Sequence, residues 1–383
     1  MFFQEISSNI ILLSVFILFA LCFLVQMIYY WGIFGKLAFY KKKPVENQYK
    51  PVSVVICAKN EYTNLKKNLT AILEQDYPDF EVVVVNDCSD DDSHYLLKAM
   101  AEKYPHLNVV TIKKNVNFFA GKKFALAVGI KSAKHDLLLL TDADCLTKSN
   151  RWIAEMQNNF TGKTQIILGY SGYEKAPGFV NRLVRFDTLM TAIHYFSWSL
   201  AGMTYMGVGR NLAYNRELFF KSKGFTSHYH IPSGDDDLFI NQVATKNNTA
   251  IEISKQSQTF SAPKATFSDW MRQKKRHYAT GFLYKRKNKI LLGLFPLTNL
   301  LFYASLFFLI AMLIKERSFY NIILVCSLFV LKVASQMFIF KKSMNKLDEK
   351  NLLLISPLMD FLFILINPLI AFSNVIVKEN KWK

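Results

Sequence analysis

The polar and apolar positions of this chain follow two patterns. Ile10 to Tyr30 runs without a formal charge, roughly the twenty residues that a helix needs to cross a bilayer. Three more apolar stretches close the chain: Ile290 to Ile314, Phe319 to Phe340 and Leu352 to Val377. Between Lys50 and Lys289, short β-branched runs alternate with amphipathic ones. Val52 to Cys57, Glu81 to Asn86, Val109 to Ile112 and Leu137 to Thr141 predict strands; Tyr62 to Glu74, Ser93 to Lys103 and Lys122 to Lys134 predict helices. Strand, helix, strand in succession is the pattern of right-handed βαβ units in a parallel sheet. The predicted fold class is α/β, a Rossmann-like, mostly parallel sheet plus transmembrane α-helices. The expected division is an anchor over 1–40, a sheet domain over 51–285 and transmembrane or interfacial helices over 286–383.

Charge orients this arrangement. The first apolar run is too long for a cleaved leader, is preceded by Glu5 without Lys or Arg, and has Leu21 where processing at Cys22 would need a small residue, so it reads as an uncleaved anchor. Lys36, Lys41, Lys42 and Lys43 follow it, and the positive-inside rule puts everything after the anchor in the cytoplasm of a multi-pass inner-membrane protein. The second closing stretch carries Lys332 and Gln336, and the third carries Asp360 with Pro357 and Pro368. Such residues imply a kinked, re-entrant or protein-packed segment. The charges of Lys378 to Lys383 favour an inside C-terminus.

Composition removes several function classes. With 51% hydrophobic and 15% aromatic residues among 383, the chain is too apolar for disorder. The net charge of +18 raises nucleic acid as a partner, but the basic residues gather beside apolar segments and along Arg272 to Lys289. That placement fits anionic lipid head groups or phosphates, and without finger or aromatic-ribbon motifs nucleic acid is set aside. Cys22, Cys57, Cys88, Cys145 and Cys326 are odd in number and lack metal-ligand spacing, as free thiols in a reducing compartment do.

The candidate chemistry sits where strands end. Leu137-Leu138-Leu139-Leu140-Thr141-Asp142-Ala143-Asp144 is a buried-looking strand closing in two carboxylates. Strand C-termini in a parallel sheet face the ligand crevice, so paired aspartates there can hold a divalent cation against a diphosphate. The first strand ends in Ala58-Lys59-Asn60-Glu61 and the second in Asn86-Asp87-Cys88-Ser89-Asp90-Asp91-Asp92. Acidic residues at three strand ends would converge on one crevice, although Asp90 to Asp92 would equally cap the next helix. Phe179 to Met206 mixes charges with aromatic rings, as interfacial helices and core helices both do. The glycines of Gly207-Val208-Gly209-Arg210-Asn211 suit either close backbone approach to a sugar or a turn.

Taken in order, Pro51 to Ile56, Asn60-Glu61, Val83-Val84-Val85-Asn86-Asp87-x-Ser89, Gly121-Lys122, Asp142-x-Asp144, Gly234-Asp235-Asp236 and Gln273-x-x-Arg276 resemble the family-2 glycosyltransferases of the GT-A fold. The likeness is greatest to the membrane-embedded branch and covers roughly residues 51 to 280. It implies transfer from a nucleotide sugar, most often a UDP sugar, to a lipid-linked or saccharide acceptor, at a membrane whose lipids contact the protein. By that resemblance Asp87 accepts from the nucleoside base, Asn60 and Glu61 lie near the nucleotide, and Lys122 meets phosphate oxygens at a helix start. Asp144 with Asp142 would hold Mg²⁺ or Mn²⁺. Asp236 would be the general base, supported by Asp235. Gln273 and Arg276 would contact acceptor and phosphate, and His277 stands where the family has tryptophan, with a smaller stacking face. A membrane nucleotidyltransferase and a non-catalytic assembly protein retaining the fold are the alternatives; the former calls for a Gly-rich loop soon after the first strand, which Ala58-Lys59-Asn60-Glu61 is not.

Overall fold

The main sheet is built on three apolar runs, Val52–Ala58, Phe80–Asp87 and Leu137–Asp142, buried on both faces as a covered parallel sheet requires, with the half-exposed Leu107–Ile112 at its edge. The computed structural model describes residues 9–42, 48–113, 121–231, 233–264 and 266–376, without the side chains of 371, 372 and 374–376. Lys43 and the terminal Lys378 to Lys383 lie outside the described residues. Strands β1 (Val52–Ala58), β2 (Phe80–Asp87), β3 (Leu107–Ile112) and β4 (Leu137–Asp142) are mutually parallel, in the order β3-β2-β1-β4. Beyond β4 the sheet continues through β8 (Leu212–Asn215), antiparallel to both its neighbours, then β6 (Ile166–Gly169) and β9 (Thr249–Glu252). The sheet is thus α/β and mostly parallel, as expected. A second sheet is small, with β5 (Cys145–Thr147), β10 (Thr259–Ser261) and β7 (Ser171–Tyr173) in that order.

Three strands end one residue later than the sequence pattern suggests: β1 at Ala58, and β2 and β4 at the aspartates Asp87 and Asp142. Cys57 pairs with Asp142 and Asp87 pairs with Ile112, so the ladder carries each carboxylate to the last rung. Helices α2 (Tyr62–Leu73), α3 (Ser93–Lys103) and α4 (Lys122–Ser132) follow the first three strands. In α2, Leu65, Leu69, Ile72 and Leu73 form the buried stripe of an amphipathic helix. Helix α4 ends two residues before the predicted Lys134, because the Lys134 N–H leaves the helix to donate to buried Glu81 Oε1 at 2.5 Å. Gly129 explains how close α4 lies to the sheet: a Cβ there would stand 2.7 Å from Val55 Cγ1 and 2.8 Å from Val85 Cγ2.

Helix α5 (Trp152–Gln157) adds Trp152, Ile153 and Met156 to the same core. For α6 (Phe179–Leu200), the structure favours core packing over the interfacial reading. Leu183, Val184, Phe186, Leu189, Tyr195, Phe196 and Trp198 are all buried, and the Tyr195 hydroxyl donates to the Gly169 carbonyl at 2.8 Å. Helices α7 (Arg216–Lys221), α8 (Asp237–Val243) and α9 (Phe267–Gly281) complete this unit.

The apolar segments form a separate helical unit. Helix α1 (Ile10–Met27) continues through a π-helical stretch, Ile28–Phe34, and is followed by α10 (Arg286–Lys315), α11 (Phe319–Lys346) and α12 (Ser356–Ile376). Among the described residues three helices, Ile10–Ala38, Arg286–Lys315 and Phe319–Lys346, are long and apolar enough to cross a membrane; the apolar part of the fourth, Ser356–Ile370, is shorter. Phe19 stacks on Phe302 at 4.8 Å, and Gln26 Nε2 donates to the Phe295 carbonyl at 3.0 Å and to Thr298 Oγ1 at 2.8 Å.

The charged residues of α11 and α12 explain each other. Lys332 is fully buried, with Nζ 3.1 Å from Asp360 Oδ2 and 3.3 Å from both the Tyr303 hydroxyl and Gln336 Oε1. Asn299 Nδ2 donates to the same Asp360 oxygen at 3.0 Å. These two segments are therefore packed against protein, the arrangement in which intramembrane charge is tolerated. Removing one partner leaves the other charge buried and unpaired, so Lys332→Met should cost about 3–5 kcal/mol. Combining Lys332→Met with Asp360→Leu should be milder than Lys332→Met alone. Unfolding in detergent measures both, and a single change as mild as the double would show that the pair does not set helix packing.

Candidate active site

The C-terminal edge of the parallel strands gathers the first carboxylates. Asp87 and Asp142 close β2 and β4 on either side of β1. Asp87 is 6% exposed, and burial pushes its pKa up against the opposing Lys59 charge. Opposite them Lys122 opens α4, directly after Gly121, whose φ of 131° only glycine adopts easily. Lys122 Nζ lies 2.9 Å from Asp142 Oδ1 and 3.1 Å from Asp235 Oδ2. Burial opposes its charge, but Asp142, Asp235 and Asp236 outweigh that effect and hold the ammonium well above its ordinary pKa. The next residue, Lys123, is 4% exposed and donates to the carbonyls of His228 at 2.6 Å and Ile231 at 3.0 Å. One end of α4 thus holds both a strand-end carboxylate and the segment leading into the acidic turn.

That turn separates three consecutive aspartates by giving each a different partner. Gly234 has φ 97°, and a Cβ there would meet Leu238 Cδ1 at 2.5 Å, so the chain bends where a side chain would not fit. Asp235 faces Lys122; burial raises its pKa, and the ammonium more than reverses this, leaving the carboxylate below its usual range. Asp237 is 7% exposed and accepts from Thr280 Oγ1 and, at 2.8 Å, from the Tyr284 hydroxyl. Burial raises the Asp237 pKa, an effect those two bonds oppose. Asp236 stands between them. Its Oδ2 accepts from the Gly209 N–H at 2.8 Å, and its Oδ1 accepts from the Asp237 N–H at 2.7 Å as the N-cap of α8. Burial first, then the neighbouring Asp235 and Asp237 charges, pushes its pKa up to about 7. Asp236 thus caps α8 while its own pKa is raised.

Asp144 follows β4 and precedes β5 rather than starting a helix. Its Oδ1 accepts from Ser261 Oγ at 3.4 Å, and Cys145 Sγ lies 3.1 Å from the same hydroxyl. The chemistry of this pair of carboxylates suits a hard divalent cation such as Mg²⁺ or Mn²⁺. Asp142 already has a cation against it, the Lys122 ammonium, which shows that the position accommodates positive charge. Among the described residues no cluster of three or more His, Cys, Asp or Glu could hold a metal by itself. A metal on Asp142 and Asp144 would thus take further oxygens from water and a diphosphate, as Mg²⁺ commonly does.

The other predicted residues lie on two further parts of the same unit. Asn60, with φ 54°, donates its N–H to Ser89 Oγ at 3.0 Å and accepts from the Asp90 N–H at 2.8 Å. Glu61 accepts from Asn64 Nδ2 at 2.5 Å. Asp91 accepts from the N–H groups of Tyr62 at 3.0 Å and Ser93 at 3.1 Å, so part of the acidic run laces the β1 and β2 loops together and holds the first N–H of α3. On α9, Gln273 Nε2 donates to the Tyr173 hydroxyl at 2.9 Å, and the Arg276 carbonyl accepts from Ser233 Oγ at 3.4 Å, beside the acidic turn. His277 is exposed. Desolvation and the cations of Arg276, Lys274, Arg210 and Lys122 push its pKa down; because solvent reaches the ring, the cations are the more durable cause.

Sequence reasoning gave no role to Arg210, Ser261, Thr280 or Tyr284. Arg210 had a signal, being the one charge in the run Gly207 to Asn211. Its guanidinium lies 4.5 Å from the centre of the Tyr173 ring. The other three are ordinary polar residues whose partners are fixed by tertiary structure alone.

Comparison with known proteins bears on the family and the fold. The family described as Glycosyl transferase family 2 matches residues 53–225, and Glycosyl transferase family group 2 matches residues 140–335. A 95-residue segment is 36% identical to the probable glycosyltransferase YdaM of Bacillus subtilis (strain 168), covering 24% of this chain and 22% of that protein. A 137-residue segment is 26% identical to the ceramide glucosyltransferase of Komagataella phaffii, covering 34% of this chain and 26% of that one. The chain thus spans about a quarter of the length of these curated relatives. The mannosyltransferase PcManGT from Pyrobaculum calidifontis, solved with GDP-Man and Mn²⁺, aligns over 87% of this chain and 97% of its own at 19% identity, with a TM-score of 0.57; the two share the GT-A fold. With the second of these matches extending over more than half of its 383 residues, this chain belongs to the family described as Glycosyl transferase family group 2.

Proposed function

We propose that the protein is an inverting membrane glycosyltransferase that moves a sugar from a UDP sugar to a hydroxyl of a lipid-linked or polysaccharide acceptor. The observation that carries this reading is the Lys122 ammonium between Asp142 and Asp235, beside an Asp236 carboxyl with a pKa of about 7. A base poised near neutral pH takes an alcohol proton better than an ordinary carboxylate does. The Gly209 N–H holds one Asp236 oxygen, fixing the carboxylate as it takes up the acceptor proton. Asp235, ionised against Lys122, stabilises the ammonium throughout. An ammonium has three donors; two face Asp142 and Asp235, which leaves a direction for a phosphate oxygen of the donor. Asp87 accepts from the nucleoside base, with Asn60 and Glu61 at the nucleotide end. Mg²⁺ or Mn²⁺ on Asp144 and Asp142, when bound, neutralises charge on the leaving diphosphate. A base opposite the leaving group gives in-line displacement with inversion.

Several features support the setting. PcManGT was solved with a nucleotide sugar and Mn²⁺, and one relative is named as transferring glucose to ceramide. Three helices of membrane-crossing length accompany the sheet unit, and Lys36, Lys41 and Lys42 after the first favour an inner-membrane protein with residues 51–285 as a cytoplasmic catalytic domain. The basic run from Arg272 to Lys289 suits anionic lipid head groups, and Gln273, Arg276 and His277, which lie on it, would meet the acceptor and phosphate.

Asp236→Asn should lower kcat by about 10²–10⁴-fold, the scale of a lost general base, while nucleotide binding persists; unchanged turnover would remove Asp236 from that role. Because the working form is the ionised carboxylate, kcat/KM should fall as pH drops through about 7 and level off above it. A profile flat from about pH 5 to 8 would contradict that assignment. Chelation and Asp144→Ala should each abolish release of nucleoside diphosphate; transfer that persists in chelator would contradict the metal site.

A further inference from the structure

The Arg210 guanidinium lies where three parts of the proposed site meet, and the reading of that site assigns it no task. It is half-buried in a short 3-10 turn, Gly209–Asn211, directly after the Gly209 N–H that holds Asp236. Its backbone carbonyl accepts from Thr141 Oγ1 at 3.0 Å and Thr259 Oγ1 at 3.1 Å. The main chain is thereby tied to the residue before Asp142 and to the strand bearing Ser261. Asn211, next along, is fully buried and donates to the carbonyls of Tyr170 and Ser257, each at 2.8 Å. The turn is thus fixed from both sides.

The guanidinium reaches outward from this fixed point in a defined direction. It stacks on Tyr173 at 4.5 Å and donates to the carbonyls of Ser171 at 3.2 Å and Gly172 at 3.3 Å. It also donates to Ser261 Oγ at 3.4 Å, and that hydroxyl donates in turn to Asp144 Oδ1 at 3.4 Å. An oxygen that accepts from a guanidinium turns its own proton toward the opposite acceptor, so charge on Arg210 strengthens the bond to Asp144. Ser261 is 1% exposed, and Cys145 Sγ, 3.1 Å away, is the other neighbour of its hydroxyl; a thiol is the weaker acceptor, so the carboxylate takes the Ser261 proton. Asp142 and Asp144 both lie within electrostatic reach of Arg210. Through Tyr173, whose hydroxyl accepts from Gln273, the same side chain braces the start of the Gln273-x-x-Arg276 motif.

We infer that Arg210 is a positioning residue for the divalent metal: acting through Ser261 it orients the Asp144 carboxylate, and through Tyr173 it fixes the wall that carries Gln273. Outer partners that orient a ligand carboxylate commonly set metal affinity by about 10–100-fold. Lysine keeps the charge but loses the planar fork and much of the stacking, so Arg210→Lys is not conservative here.

The inference rests on the proposed metal site, and the test separates the two. Mn²⁺ is titrated into the full-length protein in detergent, with UDP present, and free Mn²⁺ is followed by electron paramagnetic resonance. Loss of the site in Asp144→Ala establishes the metal position; wild-type affinity in Asp144→Ala would instead overturn the reading beneath the inference. With that position established, Arg210→Lys and Ser261→Ala should each weaken Mn²⁺ by about tenfold or more at an unchanged melting temperature. The double variant should lose little beyond the weaker-binding single, since both act through one chain of bonds. Should Arg210→Lys fold poorly, Ser261→Ala alone decides. Mn²⁺ affinity equal to wild type in a folded Arg210→Lys or Ser261→Ala protein overturns the inference while leaving the metal position intact.

Discussion

Everything at this crevice depends on one ammonium. Asp142 and Asp235 come from elements distant in the chain, and Asp236 and Asp237 add charge of the same sign beside them. Carboxylates gathered out of water repel and protonate unless a cation is buried with them. Lys122 supplies that cation, 2.9 Å from one carboxylate and 3.1 Å from the other. The strand end, the helix start and the acidic turn are thus held together by the same charge that the reaction would use.

Three adjacent aspartates show how environment, not residue type, sets chemical role. Asp235 is ionised by its lysine, Asp237 is engaged by a threonine and a tyrosine hydroxyl, and Asp236 is left with two backbone N–H groups and two acidic neighbours. Backbone donors fix the position of Asp236 without a full countercharge, which is why its pKa rises while that of Asp235 falls.

The parallel half of the fold was legible because its strands are long apolar runs and its helices show clear stripes. The boundaries missed were those where register or a side chain intervened, as when Glu81 draws the Lys134 N–H out of α4. The carboxylates at the ends of β2 and β4 could be read from the sequence, since a strand-end aspartate after an apolar run has a predictable location. Their connection to Arg210 and Ser261 could not. Those residues belong to, or pack on, a sheet whose strands are three residues long, too short to show any periodicity. Helix α6 was ambiguous for a different reason: a helix buried on most sides while carrying Arg185 and Asn181 inside looks like an interfacial one. Lys332 and Asp360 were each visible as misplaced charges, but only the packing of α11 and α12 makes them a pair.

The bare backbone at Gly129 has an effect well beyond its own position. Because not even a methyl group separates α4 from Val55 and Val85, this helix lies flush on the sheet and has no room to slide or roll inward. Its first residue is then delivered to the crevice at a depth set by the core. Fine adjustment of that charge then falls to the four-carbon stem of Lys122, a flexible arm on a closely seated mount.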